Sequence, residues 1–113
     1  MAVFNAAFPV LPGKEDAFRA FAAEVAGPRK ADFTEQQKAG DIARETWTLQ
    51  STPMGSFAIV WFEGDPEEAF GDLATNQSDF SKWFRAQVLD ISGVDLAAPD
   101  DSPPPEVHLD WSR

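Results

Sequence analysis

The segment from Phe57 to Phe62, with the sequence FAIVWF, is apolar at its odd and its even positions. Successive side chains of a strand point to opposite faces of a sheet, so a strand of this composition must be covered on both sides. A chain of 113 residues has room for one domain core and not for two. The segment therefore raises the question of what covers its second face.

The composition predicts a single folded domain over residues 1–113. Hydrophobic residues make up 43% of the chain and include ten Phe and four Trp, which is enough to build a core. The formal net charge of -10 repels phosphate backbones and anionic membranes, so neither nucleic acid nor a membrane is an expected partner. Because Cys is absent, disulfides, thiolate metal sites and a Cys nucleophile are excluded.

The first sixteen residues, MAVFNAAFPVLPGKED, have no basic region, and prolines interrupt their apolar run. This pattern indicates neither a signal peptide nor a membrane span, and a cytoplasmic protein is expected.

Hydrophobic periodicity divides the chain into strands and helices. The clearest local signal is Asp65 followed by Pro66 and two glutamates, which predicts a helix N-terminus. The predicted elements are a strand over 2–8, a helix from about 13 to 25, a shorter polar helix that ends at Gly40, strands over 42–50 and 57–62, a helix from Asp65 to about Ala74, a helix capped by Ser78 or Asp79, and a C-terminal strand, EVHLDW.

The principal order of strand, helix, strand, strand, helix and strand predicts an α+β fold, a ferredoxin-like βαββαβ sandwich. Its four-stranded antiparallel sheet would carry helices on one face and have the first and third strands at its centre. Helices would then cover one face of FAIVWF and leave an aromatic patch on the other, which soluble monomers seldom expose. A second copy of the chain, packed sheet against sheet about a two-fold axis, is the expected cover.

FPVLPGKEDAFRAF, RETWTLQSTPMGSFAIVWFEGDPEEAF and SDFSKWF resemble segments of the dimeric α+β barrel superfamily. That group includes antibiotic-biosynthesis monooxygenases, EthD-like proteins and stress-responsive barrel proteins, and the resemblance is narrowest to small uncharacterised members. It implies a homodimer whose barrel cavity binds a small apolar or aromatic molecule. Some relatives oxygenate such a ring without metal or flavin, some cleave haem and some isomerise lactones, while others have no known activity. Haem-degrading members carry a His on a helix, whereas the only His here, His108, lies in the predicted last strand.

Glu45 is the leading candidate for catalysis. If the STPMG turn paired Gln50 with Ser56, Glu45 would face Trp61 and Trp47 would face Ile59 across the hairpin. A carboxyl group among two indoles would have its pKa raised by desolvation and would suit general acid–base chemistry. The same glutamate at an exposed edge, or paired with a basic residue, would have a structural role only.

The remaining candidates are weaker. His108 and Asp110 share one face of the predicted last strand, either as a base with its orienting carboxylate or as its solvated side. The predicted cavity-lining residues are Asn5, Trp47, Ile59 and Trp61. One His without Cys predicts no metal site, and no cofactor is implied. Two hypotheses follow: a cofactor-independent enzyme, monooxygenase- or isomerase-like, and a non-catalytic dimeric ligand-binding or accessory protein.

Overall fold

In the computed structural model, which describes residues 2–98 and 102–113, the described chain forms three strands and four helices. The strands are β1 (Val3–Val10), β2 (Arg44–Thr52) and β3 (Gly55–Glu63). The helices are α1 (Glu15–Ala26), α2 (Lys30–Ala39), α3 (Pro66–Thr75) and α4 (Asp79–Ser92). The prediction of an α+β chain is therefore confirmed at this level.

The prediction of a four-stranded ferredoxin-like sheet is wrong. The sheet has three antiparallel strands in the order β1-β3-β2, so β3 is central as expected but β1 lies at an edge. An edge position suits Pro9 within β1, because proline has no N–H to donate to a ladder.

The predicted fourth strand, residues 106–111, forms no helix or strand and pairs with no strand of the described chain. Its apolar side chains Val107, Leu109 and Trp111 remain 64%, 83% and 74% exposed. Three consecutive prolines precede it, and they stiffen the chain and cannot donate ladder hydrogen bonds. Alternation over six residues is thus compatible with an unpaired segment as well as with a strand.

The helices cover one face of the sheet and build the core there. On the helix side of β3, Ala58 and Phe62 are buried and Val60 is half-buried. The odd positions Phe57, Ile59 and Trp61 on the other side are half-buried. The main core cluster comprises Val10, Phe18, Phe21, Val25, Ala58, Phe80, Phe84 and Ile91. The expectation that helices cover one face of FAIVWF is confirmed.

The opposite face of the sheet, which we call the open face, consists of the odd positions of β3 and their neighbours. Phe57, Ile59 and Trp61 lie outside the core cluster of the described residues. The Arg44 guanidinium lies 5.7 Å from the ring centre of Trp61, and the other open-face residues of β2 are polar and exposed. The open face is therefore an apolar stripe with a polar border along β2.

The predicted helix boundaries are set by identifiable caps. The Asp65 carboxylate accepts a hydrogen bond from the Glu67 N–H at 3.2 Å, and Pro66 occupies the first turn of α3. Ser78 caps α4 by accepting from the Ser81 N–H, and Gly93 ends α4 in the left-handed conformation that favours glycine. These local predictions are confirmed.

Asp65→Ala removes the cap of α3 and is expected to lower the free energy of unfolding by about 1 kcal/mol. Urea denaturation followed by circular dichroism measures the change. Asp110→Ala is the matched control, because it removes the same charge from an exposed residue of the C-terminal segment. Equal midpoints for the two variants would show that the cap does not stabilise the helix.

Candidate functional site

The β2–β3 hairpin decides which face each candidate residue occupies. Glu45 pairs with Phe62 and Trp47 with Val60, so both candidates point toward the helices. The predicted pairing of Gln50 with Ser56 is wrong by one residue, because Gln50 pairs with Phe57.

The turn explains this difference in register. Thr52 pairs with Gly55, which leaves only Pro53 and Met54 as the loop, and two-residue loops are the commonest hairpin connections. The Thr52 hydroxyl donates to the Gly55 carbonyl at 2.7 Å and accepts from the Met54 N–H, which fixes the tight turn. Trp61 and Ile59 consequently lie opposite Thr46 and Thr48 on the open face, and not beside Glu45.

Trp47 connects the sheet to three helices. Its ring centre lies 5.2 to 6.3 Å from four phenylalanine rings, contributed by α1, α2 and α4: Phe18, Phe21, Phe33 and Phe84. Aromatic pairs at such separations add about 0.5–1.5 kcal/mol each beyond the area they bury. The indole is therefore held in one orientation, and its N–H points along the strand toward residue 45.

Glu45 receives hydrogen bonds on both carboxyl oxygens. Trp47 Nε1 donates to Oε2 at 2.5 Å, and Gln37 Nε2 of α2 donates to Oε1 at 2.8 Å. Residues 45 and 47 share a face because side chains alternate along a strand. The carboxyl group is thus oriented from its own strand and from the helix above it.

A cavity of about 100 Å³ adjoins this carboxyl group, between the sheet and the helices. Its walls are almost wholly apolar, and Glu45, Gln36, Gln37, Asp72 and Ser92 are its polar lining residues. The apolar walls come from all three strands and from α1, α3 and α4, and include Phe8, Phe21, Trp47, Val60, Phe62, Phe70, Leu73 and Val88. Core residues such as Phe21 and Phe84 line it, and the cavity lies within one chain and is partly open.

Burial raises the pKa of the Glu45 carboxyl group above its ordinary value of 4.5, although the hydrogen bonds from Trp47 and Gln37 act in the opposite direction. Desolvation is the larger effect because it removes water from the charged form. The structure thus brings together Glu45 and Trp47, as predicted, but on the helix-covered face of the sheet.

The other predicted site residues lie elsewhere. Asn5 and His108 line a second, partly open pocket of about 350 Å³ between the start of β1 and the C-terminal segment. His108 Nε2 is 3.5 Å from Glu106 Oε1, and both side chains are exposed. Asp110 is exposed as well. His108 and Asp110 line no part of the cavity at Glu45.

Gln37 is the site residue that the sequence analysis missed. It lies in a polar helix, KADFTEQQKA, where one amide side chain is not distinguishable from the others by periodicity. The neighbouring Gln36 is buried and accepts a hydrogen bond from the fully buried Ser81 of α4 at 3.0 Å. That contact fixes α2 against α4.

No family model matches the chain, and neither a curated protein nor a solved structure is similar to it at a significant level. Within the described residues, no group of three or more His, Cys, Asp or Glu side chains has the arrangement of a metal site. No helix of the described chain is long and apolar enough to cross a membrane.

Glu45→Gln tests the desolvated carboxyl through the pH dependence of stability. A carboxyl whose folded pKa exceeds its unfolded value destabilises the fold progressively as pH rises through the unfolded value, near 4.5, toward the folded one. The stability of Glu45→Gln relative to wild type should therefore increase between pH 4 and pH 7. Thermal melts across this range measure the trend.

Glu35→Gln is the control for this comparison, since Glu35 is an exposed partner of Lys38 on α2. It should show little trend, because exposed ion pairs contribute about 0–1 kcal/mol. A loss of stability in Glu45→Gln that is larger at pH 7 than at pH 4 would contradict the burial of an uncompensated carboxyl group.

Proposed function

We propose that this protein binds a small molecule with an apolar body and one polar group in the cavity beside Glu45, with that carboxyl group as the polar anchor. The observation that carries the proposal is one desolvated carboxyl, oriented by Trp47 and Gln37, at the wall of an otherwise apolar cavity. Ligand sites commonly combine apolar walls with a few placed polar groups. Such a carboxyl group is costly in a core and is expected where it serves a ligand.

Acid–base catalysis by Glu45 is a second form of the same proposal, in which the carboxyl group also exchanges a proton with the bound molecule. A carboxyl group with a raised pKa exchanges its proton more readily near neutral pH than an ordinary glutamate does. In this form Trp47 is a wall of the site and orients the carboxyl group, and no cofactor takes part.

Binding without catalysis, as in a non-catalytic ligand-binding or accessory protein, is the form of the proposal that the size of the cavity favours. Its volume of about 100 Å³ is below the roughly 150 Å³ of a dry engineered cavity that admits benzene. Both Glu45 oxygens also have partners within the chain. A cavity of this size accepts a small aliphatic ligand more readily than an aromatic ring.

We also propose that a second copy of the chain covers the open face, as the sequence predicts. The support is the stripe formed by Phe57, Ile59 and Trp61 at the centre of the sheet, which lies outside the core. Isologous packing about a two-fold axis would place the two stripes against each other. Kinship with the dimeric α+β barrel superfamily stays a prediction, and this proposal depends only on the apolar stripe.

The ligand proposal predicts that 1-propanol shifts the amide NMR signals of residues around the cavity in the wild-type protein. In the variant Ala69→Leu, 1-propanol should no longer shift these signals. Ala69 is a buried cavity-lining residue of α3, so a larger side chain there fills the space. Filling a real cavity should leave stability unchanged or raise it, whereas overpacking a filled core costs about 1–3 kcal/mol. Ala74→Leu on the same helix is the control, because Ala74 does not line the cavity. A strongly destabilised Ala69→Leu together with an unresponsive wild type would contradict the proposal.

The dimer proposal predicts a particle of about twice the 12.4 kDa chain mass in light scattering at micromolar concentration. Ile59→Lys should convert it to a monomer, because it places a charge in the apolar stripe. Thr34→Lys should leave the dimer intact, because Thr34 is exposed on α2, on the other side of the sheet from the open face. A wild-type monomer would rule the dimer out.

A further inference from the structure

The charged side chains that line the cavity are both acidic. They are Glu45 and Asp72 of α3, and no Lys, Arg or His of the described chain lines it. The side chains that face it from α1, α2, α4, β1 and β3 are neutral. None of the ion pairs among the described residues includes Glu45, whose two partners, Trp47 and Gln37, are neutral donors.

The ionised form of Glu45 therefore lacks a compensating positive charge. A buried carboxylate is stabilised most by an opposite charge within hydrogen-bonding reach. Neutral donors satisfy part of its capacity, since a carboxylate offers about four lone-pair sites and two of those on Glu45 are used. The remaining sites are free to accept hydrogen bonds from a ligand.

We infer that the ligand of this cavity is a small aliphatic amine, bound as its ammonium ion, with the charged group at Glu45 and the hydrocarbon body against the apolar walls. This inference rests on the proposed function and names the class of molecule that the site takes. An alkylammonium ion has a pKa close to that of Lys, about 10.4, and is charged at neutral pH. Two of its three N–H donors can bind the two lone-pair sites that remain on the carboxylate.

The volume limits the size of the amine. A cavity of about 100 Å³ has roughly two thirds of the volume of an apolar cavity that admits benzene, a ring of six carbon atoms, and so suits a ligand of about four heavy atoms. The body of the ligand is therefore about three methylene-sized groups. Propylamine is the matching probe, 1-propanol is its neutral counterpart and propanoate its anionic one.

The negative charge of the site predicts different affinities for these three probes. Propylammonium compensates Glu45, whereas 1-propanol supplies a single neutral hydrogen bond, and charge-assisted hydrogen bonds are about twice as strong as neutral ones. Propanoate meets two carboxylates and is repelled. Propylammonium affinity should also increase as pH rises through the pKa of Glu45, which burial raises, because ionisation of Glu45 creates the partner charge.

The test is an NMR titration of the ¹⁵N-labelled protein with each probe at pH 7.5, in which the amide signals of cavity-lining residues are followed. Propylamine is expected to bind about tenfold or more tightly than 1-propanol, and propanoate is expected not to bind. Glu45→Gln should reduce the affinity for propylamine to about that of 1-propanol for the wild-type protein, because it removes the charge that the ammonium ion compensates. Glu35→Gln should change neither affinity, because Glu35 is exposed on α2 and does not line the cavity.

The outcomes separate this inference from the proposed function. If 1-propanol binds in the cavity as tightly as propylamine, the amine inference is overturned and the small-molecule site stands. If none of the probes shifts the signals of cavity-lining residues, both are overturned. The comparison of probes on the wild-type protein decides the matter even if a Glu45 variant folds poorly.

Discussion

The packing of Trp47 is the interaction on which the rest of the structure depends. Its ring contacts phenylalanines of α1, α2 and α4, while its N–H binds the Glu45 carboxyl group. One side chain of an edge strand thereby joins three helices to the sheet and orients the polar group of the cavity. Stability and site geometry therefore depend on the same residue, and a change at Trp47 would affect both.

Local patterns predicted the elements well because their causes are local. Alternation along β2 placed Glu45 and Trp47 on one side of the sheet, and Asp65, Ser78 and Gly93 marked helix ends that the structure has. These features depend on side-chain periodicity and on backbone groups within a few residues. The apolar composition of β3 likewise predicted that helices cover one of its faces.

The non-local features were not predictable with the same success. A shift of one residue in the hairpin moves Trp61 and Ile59 to the open face, and only the preference for a two-residue loop at Pro53 and Met54 pointed to it. Gln37 reaches Glu45 from another element, and no spacing rule connects the two. The last segment alternates as a strand does, yet pairing requires a neighbouring ladder, which its sequence does not encode.

The two faces of the sheet have separate roles in this account. The helix-covered face holds the cavity and Glu45, whereas the open face has an apolar stripe, which we propose is covered by a second copy of the chain. Cavity and stripe both adjoin β3, whose side chains alternate between them. The doubly apolar segment FAIVWF is thus explained on one side by the core and, in our proposal, on the other by assembly.

The central claim is that Glu45 is a desolvated carboxyl group at the wall of a cavity. The most direct measurement is a pH titration of the ¹³C signal of its side-chain carboxyl in the folded protein. We expect a titration midpoint above the ordinary value of 4.5, because burial of the Glu45 carboxyl group disfavours its charged form. A midpoint at or below 4.5 would contradict it and would show a carboxyl group that is solvated or paired with a positive charge.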